Sequence, residues 1–158
     1  METILVTGGC GFIGSHTCIE LLKENYNVLI IDSLINSYKS IFSEIKEIIK
    51  VTNNGSLNKI DFLEGDLRDK QWLDNVFLEY SKSKKPIKYV IHFAGLKSVG
   101  SSTTNPLIYW DMNISCTLSL LSAMQKHDCP NMVFSSSATV YKANGKKLLN
   151  ENDILDPI

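Results

Sequence analysis

The strongest chemical signal is the run Thr7-Gly8-Gly9-Cys10-Gly11-Phe12-Ile13-Gly14. Its glycines satisfy GxGxxG at 9, 11 and 14, and GxxGxxG at 8, 11 and 14. It follows the apolar run Ile4-Leu5-Val6 and opens a helix-period segment, the context in which such a turn binds a dinucleotide. Glycines permit a tight turn and let the backbone approach a pyrophosphate. The helix start supplies unpaired N–H groups and partial positive charge. Asp32 ends the next apolar run, about 20 residues on, where an acid accepts hydrogen bonds from ribose hydroxyls. A carboxylate there repels a 2′-phosphate, so NAD is expected rather than NADP.

Other reactive side chains have plainer readings. His16 is a polar residue near a helix start, and His92, inside an apolar run, is a satisfied core histidine. Cys10 lies near a helix N-terminus, which can depress a thiol pKa, but a small residue beside phosphates is the simpler role. Ser135, Ser136 and Ser137 follow Met132-Val133-Phe134. Singly they read as strand-end hydroxyls. Together, at the carboxyl end of a strand, they face the usual ligand crevice of an open sheet. Lys97 alone reads as a solvated lysine, and Asn113 as a backbone-bonding helical asparagine.

The elements that must hold these groups alternate along the chain. Apolar runs at 4–6, 28–31, 60–63, 89–93 and 132–134 suit strands covered on both faces. Helical stripes lie between them: Ile13, Thr17 and Leu21; Trp72, Val76 and Tyr80 with Phe77; and Leu107, Trp110, Ile114, Leu118 and Leu121 after Pro106. Residues 38–58 add an amphipathic helix carrying Ile41, Ile45, Ile48 and Ile49, closed by Asn53-Asn54-Gly55-Ser56. Lys82-Ser83-Lys84-Lys85-Pro86 reads as a solvated connection. Repeated strand–helix–strand units predict an α/β fold, a Rossmann-type doubly wound parallel sheet with helices on both faces.

Composition bounds the function. The 158 residues suit one domain, 1–158, with 44% hydrophobic and 21% charged residues. Lys+Arg 16 against Asp+Glu 17 offers no basic field for nucleic acid, and no apolar run is long enough for a membrane span. The four cysteines form no CxxC pair, and no metal site is expected. With no signal-peptide pattern after Met1, the thiols are read as reduced and the location as cytoplasmic.

The glycine turn, Asp32 with the loop to Asn36-Ser37, Gly65-Asp66-Leu67-Arg68, the run His92 to Gly100 and the run Phe134 to Tyr141 together resemble the extended short-chain dehydrogenase/reductases. Within them they resemble the UDP-glucose 4-epimerase family, from about Thr3 to Ile158. The resemblance implies a NAD-binding domain followed by a smaller sugar-nucleotide domain, a homodimer, and interconversion of UDP-glucose and UDP-galactose. In that reaction the sugar C4–H leaves as hydride, a Tyr phenolate takes the 4-OH proton, and the 4-keto sugar turns over. It places Gly8, Gly11, Phe12, Ile13 and Gly14 at the pyrophosphate. Asp32, Ser33, Leu34, Ile35, Asn36 and Ser37 would hold the adenosine ribose. Asp66, accepting from the exocyclic amine, and Leu67 would border the adenine. Phe93, Ala94, Gly95, Leu96 and Lys97, with Asn113 and Ser135, complete the implied cofactor site. Ser137 is the implied catalytic residue, assisting proton transfer at the sugar 4-oxygen, and Thr139 joins it at the substrate.

Related reactions leave different marks. Sugar-nucleotide dehydratases of this group place an Asp-Glu pair just after the strand-end Ser/Thr, because eliminating water needs an acid and a base. Ala138-Thr139 stands here. For a UDP-glucuronate decarboxylase, Lys142 is the available cation. A non-catalytic NAD-binding module is the other alternative. The family's Tyr-x-x-x-Lys is expected just beyond Ile158. Tyr80…Lys84 has that spacing on the wrong segment, and Tyr141 is followed four residues on by Gly145. The 158 residues are therefore read as an N-terminal half, inactive alone. Its helix after Pro106 and its last strand are expected to expose an apolar face and an unpaired edge, which favour association.

Overall fold

The computed structural model describes residues 2–52, 56–142 and 148–156. Strand β1 (Thr3–Thr7) leads through the glycine turn into helix α1 (Phe12–Lys23). Then come β2 (Asn27–Asp32), α2 (Ser40–Thr52), β3 (Ile60–Glu64), α3 (Lys70–Lys82) and β4 (Ile87–His92). Two short helices, α4 (Val99–Thr104) and α5 (Pro106–Trp110), precede a π-helical turn at Asp111–Ser115, α6 (Cys116–Lys126) and β5 (Asn131–Phe134). The five strands are parallel in the order β3-β2-β1-β4-β5, the Rossmann arrangement expected from the alternating runs. The closing loop expected at Asn53-Asn54-Gly55-Ser56 lies, save for Ser56, outside the described residues.

Alternation along each central strand feeds two cores. Leu5, Leu29 and Ile31 face Leu73, Phe77 and Leu120 of α3 and α6. Ile4, Val6, Val28 and Ile30 face Cys18, Leu22, Ile45 and Ile49 of α1 and α2. A strand buried on both sides needs apolar residues at every position, which is why β1 and β2 read as continuous runs.

One helical stripe differs from expectation. In α1 the buried residues are Gly14, Cys18, Ile19 and Leu22, while Ile13 is 51% exposed. Small side chains at 14 and 18 let the helix sit close to the sheet, so the contact face is rotated about one residue from the Ile13-Thr17-Leu21 stripe. After Pro106 the apolar face expected to be exposed is exposed. Leu107, Trp110, Ile114, Leu118 and Leu121 are all exposed, and α6 instead buries Cys116, Ser119, Leu120, Ala123 and Met124. No described helix is long and apolar enough to cross a membrane.

Strand register levels the carboxyl ends of the sheet. Thr7 pairs with Ile31 on one side and with His92 on the other. Asp32 pairs with Glu64, and His92 with Phe134. The loops leaving these ends therefore open onto one crevice.

Candidate dinucleotide and sugar-nucleotide site

The crevice consists of two adjoining hollows of about 390 and 460 Å³ that share Phe93, Ala94, Gly95, Leu96 and Lys97 as a common wall. The glycine turn lines the first. Gly8 has φ +68°, and a Cβ there would stand 2.7 Å from the Ala94 nitrogen. A Cβ on Gly14 would overlap the Gly8 carbonyl oxygen. Both positions demand glycine for conformation or close approach. Helix α1 starts at Phe12, with no side-chain cap on its N-cap Gly11 and no acid in its first turn. Its leading N–H groups are left to whatever enters the hollow, and no acid within its first turn offsets the positive end of the dipole. Gly11, Phe12, Ile13 and Gly14 line this hollow.

Asp32 reaches the same mouth but is heavily engaged. Its Oδ2 accepts the Cys10 N–H at 2.9 Å. Its Oδ1 accepts the Leu34 N–H at 2.9 Å and the Ser37 hydroxyl at 2.8 Å. A carboxylate has about four acceptor positions, so with Ser37 in place one is left for a ligand hydroxyl. Ser33, Ile35 and Asn36 line the hollow. Leu34 instead turns at φ +57° onto the α1–α2 core, and Ser37 serves Asp32.

Asp66 and Leu67 also line the first hollow. Leu67, 4% exposed, anchors the loop after β3. The Asp66 carboxylate is gripped by Arg68, which holds it well below the usual carboxylate range. Arg68 also pairs with Asp111 at the start of the π turn.

The second hollow carries Ser135, Ser136, Ser137 and Thr139. Ser135 donates its N–H to the His92 carbonyl at 3.1 Å, which seats the loop on the end of β4. The Ser137 and Thr139 hydroxyls lie 2.7 Å apart, exposed to the hollow. Lys97, exposed on the common wall, borders both hollows. Asn113 lies on the second hollow, but its side-chain amide clasps the backbone of Leu96. Its oxygen accepts the Leu96 N–H at 2.8 Å, and its nitrogen donates to the Leu96 carbonyl at 3.1 Å. It bonds backbone across the crevice rather than within its own helix.

A buried relay behind this wall was not legible as a site in the sequence. The Thr117 hydroxyl donates to the Asn113 carbonyl at 2.7 Å, so it accepts from His92 Nε2 at 3.0 Å. His92 Nδ1 then accepts the Thr7 hydroxyl at 2.6 Å. This partner set assigns the tautomer. Burial lowers the His92 pKa to about 4, so it is a neutral, satisfied core histidine. His16 bonds the Phe12 carbonyl at 2.8 Å, as a helix-start polar residue would. The Cys10 thiol departs from the depressed pKa a helix start can give: burial and then Asp32 push it up to about 12. Met112 and Cys116 line the first hollow too, and only the tertiary fold brings them there.

The chain matches the family model described as GDP-mannose 4,6 dehydratase over residues 5–158. It is 45% identical over 141 residues to UDP-glucose 4-epimerase 1 of Oryza sativa subsp. japonica, covering 89% of this chain and 37% of that protein. It is 46% identical over 138 residues to the UDP-glucose 4-epimerase of Bacillus subtilis, covering 87% of this chain and 37% of the relative. The structure of UDP-glucose 4-epimerase from Bifidobacterium longum in complex with NAD+ and UDP superposes with a TM-score of 0.83. That pair shares 40% identity, over 98% of this chain and 42% of the other. The chain thus spans about two fifths of the length of the relatives it matches. It belongs to the extended short-chain dehydrogenase/reductase family, in the sugar-nucleotide branch that the GDP-mannose 4,6 dehydratase model describes, and matches the N-terminal part of UDP-glucose 4-epimerases.

Proposed function

We propose that residues 1–158 are the NAD-binding portion of an enzyme interconverting UDP-glucose and UDP-galactose. One observation supports this most: the uncapped, acid-free start of α1 faces a hollow whose far wall continues into Ser135–Ser137. A diphosphate fits against the glycine turn, where Gly8, Gly11 and Gly14 line the hollow. The leading N–H groups of α1 bind that diphosphate. Asp32 takes a ribose hydroxyl on its remaining acceptor position, and Asp66 accepts from the adenine amine. NAD, when bound, supplies the hydride acceptor and donor for the sugar C4. Ser137 hydrogen-bonds the sugar 4-oxygen and assists the transfer of its proton to a Tyr phenolate, with Thr139 beside it at 2.7 Å. The sugar passes through a 4-keto form.

Epimerisation returns every electron to the sugar and eliminates no water. Ala138-Thr139, in place of an acid–base pair, supports it over dehydration. The phenolate base of the reaction has no counterpart in register after Ser137 within these residues, so they alone are inactive. The whole protein is read as a cytosolic homodimer.

Titrating the 158-residue chain with NAD, and assaying it with UDP-galactose coupled to a UDP-glucose dehydrogenase, tests the proposal. Weak NAD binding without turnover is expected. Turnover by these residues would overturn the assignment of chemistry, and undetectable NAD binding would overturn the cofactor reading. The same assay on the full-length protein is expected to form UDP-glucose.

A further inference from the structure

Arg68 is exposed and lines neither hollow, but it grips Asp66, which lines the first. The loop after β3 is a tight turn in which the Asp69 N–H donates to the Asp66 carbonyl at 3.0 Å, and Asp69 then caps α3 through the Trp72 N–H at 2.9 Å. That fixes the Asp66 backbone. Arg68 fixes its side chain. Asp66 Oδ1 accepts the Arg68 N–H at 2.9 Å and its Nε at 3.1 Å. Oδ2 accepts the same Nε at 3.1 Å and Nη2 at 2.6 Å. The guanidinium is held in turn by Asp111 through Nη1.

Asp111 opens the π turn, whose extra residue per turn shifts the register of the helix. The same turn carries Asn113, which clasps Leu96 on the shared wall. One irregular turn therefore ties down both loops that flank the first hollow, the 65–69 loop through Arg68 and the 93–97 loop through Asn113. π-Helical turns recur at functional sites because they re-aim side chains in this way.

The acceptor count gives this arrangement its selectivity. The Arg68 Nε–H is shared between the two oxygens, so three Arg68 N–H groups meet about four acceptor positions. The position left over on Asp66, which lines the hollow, is contested only by the long Cys116 thiol contact at 4.0 Å. A carboxylate locked by a guanidinium fork carries no proton to donate. It welcomes a nucleobase edge presenting an amino group and repels one presenting a carbonyl oxygen. We propose that Arg68, anchored by Asp111, is a positioning residue that orients Asp66 as an acceptor-only reader of the purine 6-position, selecting an adenine dinucleotide over its hypoxanthine counterpart. This rests on the NAD reading above.

The test compares dissociation constants for NAD and for nicotinamide hypoxanthine dinucleotide, which differ at that edge. They are measured with the wild-type chain and with Arg68→Met, Arg68→Lys and Asp111→Asn. Wild type is expected to favour NAD by about tenfold or more, the worth of one charge-assisted hydrogen bond against a repulsive contact. Arg68→Met is expected to abolish the preference mainly by weakening NAD, leaving the hypoxanthine analogue within about twofold; Arg68→Lys restores part of it. Asp111→Asn, a near-isosteric change that keeps the fold if Arg68→Met does not, lowers the preference about threefold. A merely structural Arg68 would weaken both dinucleotides together and leave their ratio unchanged, which overturns the proposal. A wild-type chain that binds both equally also overturns it while the NAD reading stands. A wild-type chain that binds neither overturns the NAD reading itself.

Discussion

The two flanks of the sheet are built to opposite standards. On the α1–α2 flank, small residues at Gly14 and Cys18 bring the helix onto β1 and β2, and Ile45 and Ile49 close the outer side at 1% exposure each. On the other flank, α5 buries nothing, and Leu107 is 81%, Trp110 65% and Leu118 60% exposed. Among the described residues strand β5 has a partner only on its β4 side, with Val133 63% and Phe134 53% exposed. Yet both flanks line the same crevice. An apolar stripe reports that a face is suited to burial, and it does not name the surface that buries it. The glycine turn sits where packing is complete, while the Ser135–Ser137 wall stands on the open edge.

The sharpest way to break this contrast is to fill the closed flank. Gly8→Val puts a β-branched side chain at φ +68° and against the Ala94 backbone. Left-handed strain and overpacking together are expected to cost about 4 kcal/mol of unfolding free energy and to abolish NAD binding. Urea denaturation and NAD titration measure both effects. Near-wild-type values would show that the turn yields and that close packing does not define this flank.

The seam between the flanks is the Thr7–His92–Thr117 relay, and pH probes it. His92 has its pKa lowered to about 4 by burial, against an ordinary 6.5. Between those values the unfolded chain binds a proton that the folded one does not, so stability rises with pH through that window. It is fully present above the ordinary value, is lost as pH falls below it, and the loss levels off near the folded value. The difference amounts to at most about 3 kcal/mol. His92→Asn is expected to flatten the dependence of Tm on pH between about 4.5 and 6.5 relative to wild type. An unchanged slope would place the titrating group elsewhere.

The same contrast explains what was legible in the sequence. The strand runs and the Gly8–Gly14 turn follow from local rules, since a strand covered on both faces and a helix opening on glycines leave direct marks. The contact face of α1 did not, because Gly14 and Cys18 work through their smallness and carry little apolar signal. The stripe at Leu107 to Leu121 has a strong signal, but nothing among the described residues buries it. Within the site, Asp32 and Asp66 stand at recognisable positions. Their partners are less visible: Arg68 lies two residues from Asp66, but Asp111 meets it across 43 residues of chain. A long-range pair with an ordinary helical aspartate has no local signature.

The smallest expected effect is the most diagnostic of the open flank. Leu118 is 60% exposed on α6, opposite the buried Leu120, Ala123 and Met124. Leu118→Glu removes no buried contact and adds a charge to a face already in water. It is expected to change the unfolding free energy of the 158-residue chain by no more than about 0.5 kcal/mol, the ordinary range for a surface site. Breaking up the apolar patch is expected to raise the concentration at which the chain stays in solution. Leu120→Ala, two residues along the same helix, removes a fully buried side chain and is expected to cost about 3 kcal/mol. Denaturation of the pair side by side reads the difference in one experiment. If Leu118→Glu costs as much as Leu120→Ala, the stripe is buried in the isolated chain, and the two flanks are packed alike after all.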